Sequence, residues 1–218
     1  MTTPKKTISK AAPKAAKPAA AKASGNGPRL FQLKVDLLES EPPIWRQVLV
    51  PEDMTLDQLH GVIQIVMGWD GSHLHMFSTG AVMYAMHGDD EDSERPPESE
   101  HAVGEVLPRA KSKLLYEYDF GDSWMHRITL EKKLPPDPAF RHPVCLAGAR
   151  ACPPEDSGGV CGYYGLLEAM SNPDDPDHEW VIEEVLGEDF NPEAFDIDSV
   201  NRMLARWFRL RGRKKPGA

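Results

Sequence analysis

The chain has 218 residues and a formal net charge of −9, which allows one well-packed domain with appendages. It contains no apolar run near the roughly 20 residues of a membrane span, and its three cysteines are too few and odd in number for a disulfide framework. Because the N-terminus also lacks the apolar core of a secretory signal, the sequence predicts a cytoplasmic protein without a membrane partner.

The charges are separated along the chain. Seven basic residues and no acid lie in residues 1–29, and seven more, again without an acid, lie in residues 202–218. The other 11 of the 25 basic residues share residues 30–201 with all 34 acids, so this central part carries a charge of −23.

Both ends of the chain are predicted to be basic tails, over residues 1–28 and 211–218. The first is rich in Lys, Ala and Pro and lacks aromatic residues, so disorder is expected. Its lysines suggest weak contact with nucleic-acid phosphates; the alternative is a solubilising extension that folds back on the acidic body. These lysines are Lys5, Lys6, Lys10, Lys14, Lys17 and Lys22.

The first part of the folded region reads as a hairpin followed by a helix. Apolar and polar residues alternate over 31–37, which is typical of a half-buried strand, and a second strand is predicted over 44–50. Thr55 and Gln58 have the spacing of a capping box at the start of a helix, and Gly68 is expected to end it. Short strands are predicted over 73–78 and 81–86.

The second part reads as another hairpin followed by helices. An acidic loop is expected over 88–101, irregular structure over 135–161, and helices over 162–170, over 177–186 and after Asp196. The sequence thus predicts a single α+β domain over residues 29–210. It has a largely antiparallel sheet built from hairpins, one helix after the first hairpin and a C-terminal group of helices.

The second hairpin has more polar side chains that can bind a ligand than its turn requires. Residues 115–126 read Leu-Tyr-Glu-Tyr-Asp-Phe-Gly-Asp-Ser-Trp-Met-His. Gly and Asp suit the turn, but the pattern also brings Asp119, Asp122 and His126 to one hairpin end. We therefore expect a functional site there.

Two histidines near Trp69 suggest that this site binds a divalent metal. His73 and His75 are two residues apart, so both would face one side of a strand. With Asp119, Asp122 and His126 they could bind Zn, Mn or Fe for hydrolytic chemistry. The alternative is structural: the aspartates cap turn amides, and His126 is a core residue hydrogen-bonded to Asp119. The candidate pocket comprises Trp69, His73, His75, Tyr118, Asp119, Asp122, Trp124, His126, Glu155 and Asp156.

Two further groups of residues could contribute ligands. The loop over residues 153–159 (Pro-Pro-Glu-Asp-Ser-Gly-Gly) could add Glu155 and Asp156 to the pocket, or Asp156 or Ser157 could cap the next helix. The cysteines could form a structural zinc site with His142, although their spacing is wider than in zinc knuckles. The cysteines are Cys145, Cys152 and Cys161.

Four ordered motifs carry a family resemblance. They are Ile-Trp-Arg at 44–46 with Val-Leu-Val-Pro at 48–51; Leu-Asp-Gln-Leu-His at 56–60 with Met-Gly-Trp at 67–69 and His-Leu-His-Met-Phe at 73–77; the hairpin at 116–126; and Cys-Leu-Ala-Gly at 145–148 with residues 151–163. The chain resembles the plasmid pRiA4b ORF-three-like family over about residues 29–208, a family that also occurs as insertion-element passenger proteins named resolvase-like.

The resemblance implies an association with plasmids or mobile elements. It implies no recombinase mechanism, because the N-terminal serines lie in low-complexity sequence. We therefore expect an accessory or binding protein. The alternatives are a metal-dependent, hydrolytic enzyme and a protein–protein adaptor whose acidic surface docks a basic partner.

Overall fold

The computed structural model of the protein describes residues 27–84, 86 and 95–211. The N-terminal lysines, most of the C-terminal basic tail and part of the predicted acidic loop lie outside these residues. The described helices include none with the length and apolar character needed to cross a membrane.

Seven strands and five helices make up the described fold. The strands are β1 (Leu30–Leu37), β2 (Trp45–Pro51), β3 (His75–Thr79), β4 (Val82–Tyr84), β5 (Lys113–Tyr118), β6 (Trp124–Leu134) and β7 (Val144–Ala149). The helices are α1 (Leu56–Met67), α2 (Val103–Val106), α3 (Gly159–Ser171), α4 (His178–Trp180) and α5 (Ile197–Arg211), with a 3₁₀ turn at Glu98–Glu100 and a π-helical segment at Val181–Leu186.

The strands form one antiparallel sheet in the order β4-β3-β5-β6-β1-β2-β7. The predicted α+β class is confirmed, as are the hairpins β1–β2 and β5–β6. The two hairpins join through β1 and β6, whose register pairs Leu30 with Leu134 and Leu37 with His126.

The core lies where the alternation in β1 meets the apolar stripe of α1. Leu33 and Val35 of β1, and Leu59 and Ile63 of α1, are fully buried. Removal of such apolar surface from water is the main stabilising contribution to a fold of this kind.

Two of the predicted helix ends are found in the structure, and one predicted capping motif is not. Gly68 ends α1 in the left-handed conformation at φ 98°, as predicted. The Asp196 carboxylate accepts a hydrogen bond from the backbone N–H of Ser199 (2.9 Å) at the start of α5. The predicted capping box of α1 is wrong, because the Thr55 hydroxyl donates to Asp57 and not to the helix backbone.

A buried arginine joins three elements on the β7 side of the sheet. Arg46 is 1% exposed, and its guanidinium donates to the carbonyls of Val66 at the end of α1 (2.7 Å) and of Ala149 and Arg150 at the end of β7 (2.8 and 2.9 Å). Its other face lies 4.1 Å from the centroid of the Phe195 ring. Backbone oxygens thus solvate this charge inside the fold.

The structure corrects three predicted elements. Residues 144–149, expected to be irregular, form the edge strand β7, which pairs with β2 through a bulge. The helix predicted over 177–186 divides into α4 and the π-helical segment. The strand predicted from residue 73 begins at His75, so the period-two argument does not extend to His73.

Candidate functional site

The turn between β5 and β6 is built on Asp119. This residue adopts the left-handed conformation (φ 56°), which Asp tolerates better than most residues. Its backbone carbonyl accepts from the N–H of Ser123 (2.6 Å), and its Oδ1 accepts from the N–H of Gly121 (2.9 Å). The Oδ2 atom is left to face the segment that precedes β3.

That segment places His73 among three carboxylates. Its Nδ1 lies 3.7 Å from Asp119 Oδ2, and its Nε2 lies 3.4 Å from Asp156 Oδ1 and 3.9 Å from Glu155 Oε2. One ligand atom from each of His73, Asp119 and Asp156 can be chosen so that all three lie within 4.8 Å of one another. We call His73, Asp119, Glu155 and Asp156 the His73 cluster.

Aromatic residues hold the loop that supplies the two acids. The Trp69 indole N–H donates to the carbonyl of Pro153 (3.0 Å), and the Trp69 ring stacks on Tyr118 with centroids 4.9 Å apart. The Tyr118 hydroxyl donates to Glu155 Oε1 (3.0 Å). Burial, and the carboxylate of Glu155, raise the pKa of Tyr118 to about 12, so the phenol keeps the proton that it donates.

The turn itself also contacts this loop. Asp122 Oδ2 accepts from the backbone N–H of Gly158 (3.0 Å). A Cβ at Gly159 would stand 2.5 Å from the Asp122 carbonyl oxygen, so only glycine permits this approach. The predicted capping of α3 by Asp156 or Ser157 is wrong: Gly158 is the N-cap, and the Ser157 hydroxyl donates to the carbonyl of Pro154.

Glu155 is the unusual member of the His73 cluster. Its Oε1 accepts from Tyr118 and from the backbone N–H of Asp70 (3.0 Å each). Its Oε2 is closed to solvent and has no hydrogen-bond partner among the described residues. A buried carboxylate oxygen without a donor is costly, and a cation beside His73 would satisfy it.

His75 does not join the His73 cluster. It is 5% exposed, its Nε2 lies 2.9 Å from Glu98 Oε2, and its ring stacks on His60 with centroids 3.6 Å apart. His60 Nδ1 in turn lies 2.8 Å from the Tyr116 hydroxyl. The expectation that His73 and His75 face one site is therefore wrong, because only His75 obeys the alternation of β3.

Trp124 and His126 belong to the core. Both are fully buried, as are Ile128 and Leu130 on the same face of β6. The ring of His126 pairs through Nδ1 with the carbonyl of Trp124 (2.8 Å). The predicted hydrogen bond from His126 to Asp119 is absent from the described bonds, since the Asp119 oxygens face the turn and His73. Neither Trp124 nor His126 reaches the His73 cluster.

The cysteines form no metal-ligand group within the described part of the chain. All three are free thiols: Cys145 is buried, Cys152 is partly buried and Cys161 is exposed. His142 Nδ1 instead pairs with the carbonyl of Pro143 (2.8 Å). Burial raises the pKa of Cys152, which keeps it an inert thiol.

The sequence interpretation missed two buried polar residues in this region. Glu98 lies in a stretch that reads as a solvated acidic loop, yet it is 3% exposed. His60 falls beside the apolar stripe of α1, where a partly buried histidine gives no distinct signal. The pairing of Glu98 with His75 and the stacking of His60 on His75 depend on tertiary contacts.

The comparisons with known proteins agree with one another. The sequence model of the family described as "Plasmid pRiA4b ORF-3-like protein" matches residues 29–199. The "Uncharacterized protein y4hQ" of Sinorhizobium fredii is 33% identical over 191 residues, which cover 85% of this chain and 97% of that protein. The crystal structure of MM3350, a protein of unknown function from Methanosarcina mazei, superposes with a TM-score of 0.71 at 35% identity and covers 79% of this chain and 98% of that one. The chain therefore belongs to the plasmid pRiA4b ORF-3-like family.

Proposed function

We propose that this protein binds a divalent metal ion at the His73 cluster. The observation that carries the proposal is that one ligand atom each of His73, Asp119 and Asp156 can be chosen within 4.8 Å of one another, with Glu155 Oε2 3.9 Å from His73 Nε2. Ligands about 2.0–2.2 Å from a tetrahedral ion stand roughly 3.3–3.6 Å apart. Small side-chain movements would thus complete a coordination shell.

The chemistry of the donor atoms limits which ions the site would bind. Imidazole with carboxylates suits Zn, Mn or Fe more than Ca. Three carboxylates around one partly exposed histidine also repel one another, and a dication would offset that repulsion. Asp156 is largely exposed, so the ion would remain open to solvent and could activate a bound water for hydrolysis.

Calorimetric titration of the metal-free protein with Zn²⁺ and Mn²⁺ tests the proposal. We expect one site per chain, with affinity reduced about tenfold or more in His73→Ala and Asp119→Asn, since each removes a ligand. His101→Ala is the matched control: His101 lies 3.4 Å from Glu105 but belongs to no group of three metal ligands among the described residues. Equal affinity in all variants, or no binding by the wild type, would contradict the proposal.

A hydrolytic role is the second step of the proposal. If the ion binds, a screen of ester and phosphoester substrates with the metal-loaded protein should find activity that both cluster variants lose. Metal binding without turnover would instead support an accessory protein that uses the ion to fix a binding surface.

We also propose that the N-terminal lysines contact nucleic acid, which the separated charges and the plasmid association of the family support. Removal of residues 1–26 should then weaken retention on DNA and reduce its salt dependence. Unchanged retention would favour the adaptor alternative, in which the acidic body binds a basic protein.

A further inference from the structure

A second cleft lies on the other side of the Trp69 segment from the His73 cluster. It opens between α1, the turn after it and the end of α5, with a volume of about 380 Å³. Small-molecule sites commonly occupy about 300–1,000 Å³. The residues that matter here are His60, Gln64, Gly71, Trp69, Trp207 and Arg211.

Gln64 presents an unused acceptor at this cleft. The side chain is buried at 4% exposure, and its amide N–H donates to the Tyr116 hydroxyl (2.9 Å). Its carbonyl oxygen has no hydrogen-bond partner among the described residues. Because a buried acceptor without a donor is unfavourable, a ligand N–H at this position would gain a bond that the protein leaves unmade.

His60 presents a donor beside that acceptor. The Tyr116 hydroxyl accepts from Gln64 and pairs with His60 Nδ1 at 2.8 Å, so it can donate its own proton to Nδ1 in the tautomer of His60 that carries the ring proton on Nε2. Burial, followed by the neighbouring His75, lowers the pKa of His60 to about 3, so the ring is neutral. In that tautomer the one ring proton is on Nε2.

Both atoms lie beneath Gly71. A Cβ built on Gly71 would stand 3.8 Å from His60 Nε2 and 3.8 Å from Gln64 Oε1. The two atoms thus lie within 3.8 Å of one point under the turn of residues 70–72. At its mouth Arg211 lies 3.6 Å from Asp57 and stacks on the Trp207 ring, so the two charges offset each other.

We propose that this cleft binds an uncharged planar lactam of the kind found on nucleobases. His60 Nε2–H donates to the lactam carbonyl, Gln64 Oε1 accepts from the adjacent ring N–H, and the Trp207 indole lines the wall. The Gln64 oxygen is closed to solvent beneath the turn of residues 70–72, so the ligand reaches it when Gly71 lifts.

The minimal probe is 2-pyridone, which carries an adjacent carbonyl and N–H on one flat ring. Titration of the full-length, metal-free protein by NMR should detect 2-pyridone binding, and N-methyl-2-pyridone should bind at least about tenfold more weakly because it cannot donate to Gln64. Both probes are tested on the same protein, so a difference in binding cannot result from misfolding. Equal binding of the two probes, or no binding of 2-pyridone, would overturn the proposal.

Two glycine variants locate the site. Gly71→Ala places a methyl group 3.8 Å from both His60 Nε2 and Gln64 Oε1, in the space that the ligand has to enter, and should abolish 2-pyridone binding. Gly68→Ala imposes comparable strain, since both glycines have positive φ (78° and 98°), but its Cβ meets nothing within 4 Å. It should bind 2-pyridone as the wild type does; loss of binding in neither or in both variants would contradict the assignment.

Discussion

The two carboxylate oxygens of Asp119 have different roles, one in the turn and one in the His73 cluster. Oδ1 closes the turn through Gly121, whereas Oδ2 faces His73. From the sequence, a role of Asp119 in the turn and a role in a metal site are alternatives. In the structure, Asp119 is positioned for both roles. One Asp119 oxygen accepts from Gly121 and the other faces His73, and neither is paired with His126 among the described hydrogen bonds.

His126 makes the fold sensitive to acid. Burial lowers the pKa of His126 to about 4, from 6.5 in the unfolded chain. Above pH 6.5 both states are neutral and the residue contributes no pH dependence. As pH falls from 6.5 to 4, the unfolded state takes up the proton first, so the unfolding free energy falls.

We expect urea unfolding to show this effect as a difference between proteins. Between pH 7.5 and pH 5, the free energy of unfolding should fall by about 2 kcal/mol more in the wild type than in His126→Phe. The variant His101→Phe, at a partly exposed histidine, should keep the wild-type dependence. Parallel pH curves for the wild type and His126→Phe would show that His126 does not carry the effect.

At the scale of elements, the His73 cluster joins a turn to a loop. Asp122 and Trp69 hold that loop from two sides, through Gly158 and Pro153. Neither anchor is a member of the cluster. The spacing between His73 and the two loop acids therefore depends on contacts outside it.

Asp122→Ala tests that dependence. Loss of the hydrogen bond to Gly158 should lower the free energy of unfolding by about 1 kcal/mol. It should also speed amide hydrogen exchange over residues 153–158. Zn²⁺ affinity should also fall, although no ligand is changed. Asp137→Ala is the control, because Asp137 accepts from the Ala139 N–H in a loop after β6. Faster exchange with unchanged Zn²⁺ affinity would mean that the loop position does not limit binding.

Local sequence predicts the elements whose pattern is regular. The alternation of β1 and the apolar stripe of α1 locate both correctly, and Gly68 marks the helix end. β7 was missed because Val-Cys-Leu-Ala-Gly-Ala has small residues, a bulge and no clean alternation. Its strand character comes from pairing with β2, which no local pattern encodes.

The same limit applies to the candidate site. Sequence proximity predicted that the hairpin residues act together, and the structure divides them between the His73 cluster, the loop anchor and the core. Glu155 and Asp156 lie more than 30 residues beyond the turn, yet the structure places them at His73. Which side of an element a residue faces decides its neighbours. His73 lies two residues before β3 begins, so the alternation of that strand does not determine where its side chain points.

At the scale of the whole molecule, the sheet joins distant parts of the chain. β1 lies between β2, its neighbour in sequence, and β6, which begins at Trp124. Arg46 then ties β2 to α1 and to the last strand. The fold is therefore complete only when both halves of the described chain are present.

We expect slow refolding for this reason. Sheets with many non-local pairs fold in about milliseconds to seconds, because loop closure precedes the favourable contacts. Stopped-flow measurement of the total tryptophan fluorescence, to which the buried Trp124 contributes, gives the rate after dilution from urea. Refolding in microseconds would show that formation of the β1–β6 pair is not limiting.

The position of β1 also has a consequence during synthesis. The first hairpin leaves the ribosome with the outer edges of β1 and β2 unpaired, and their partners β6 and β7 are translated much later. Exposed strand edges can pair with other chains. Cells that express the protein at high rate should therefore need a chaperone to shield the nascent hairpin, and chains that terminate before β6 should accumulate in the insoluble fraction.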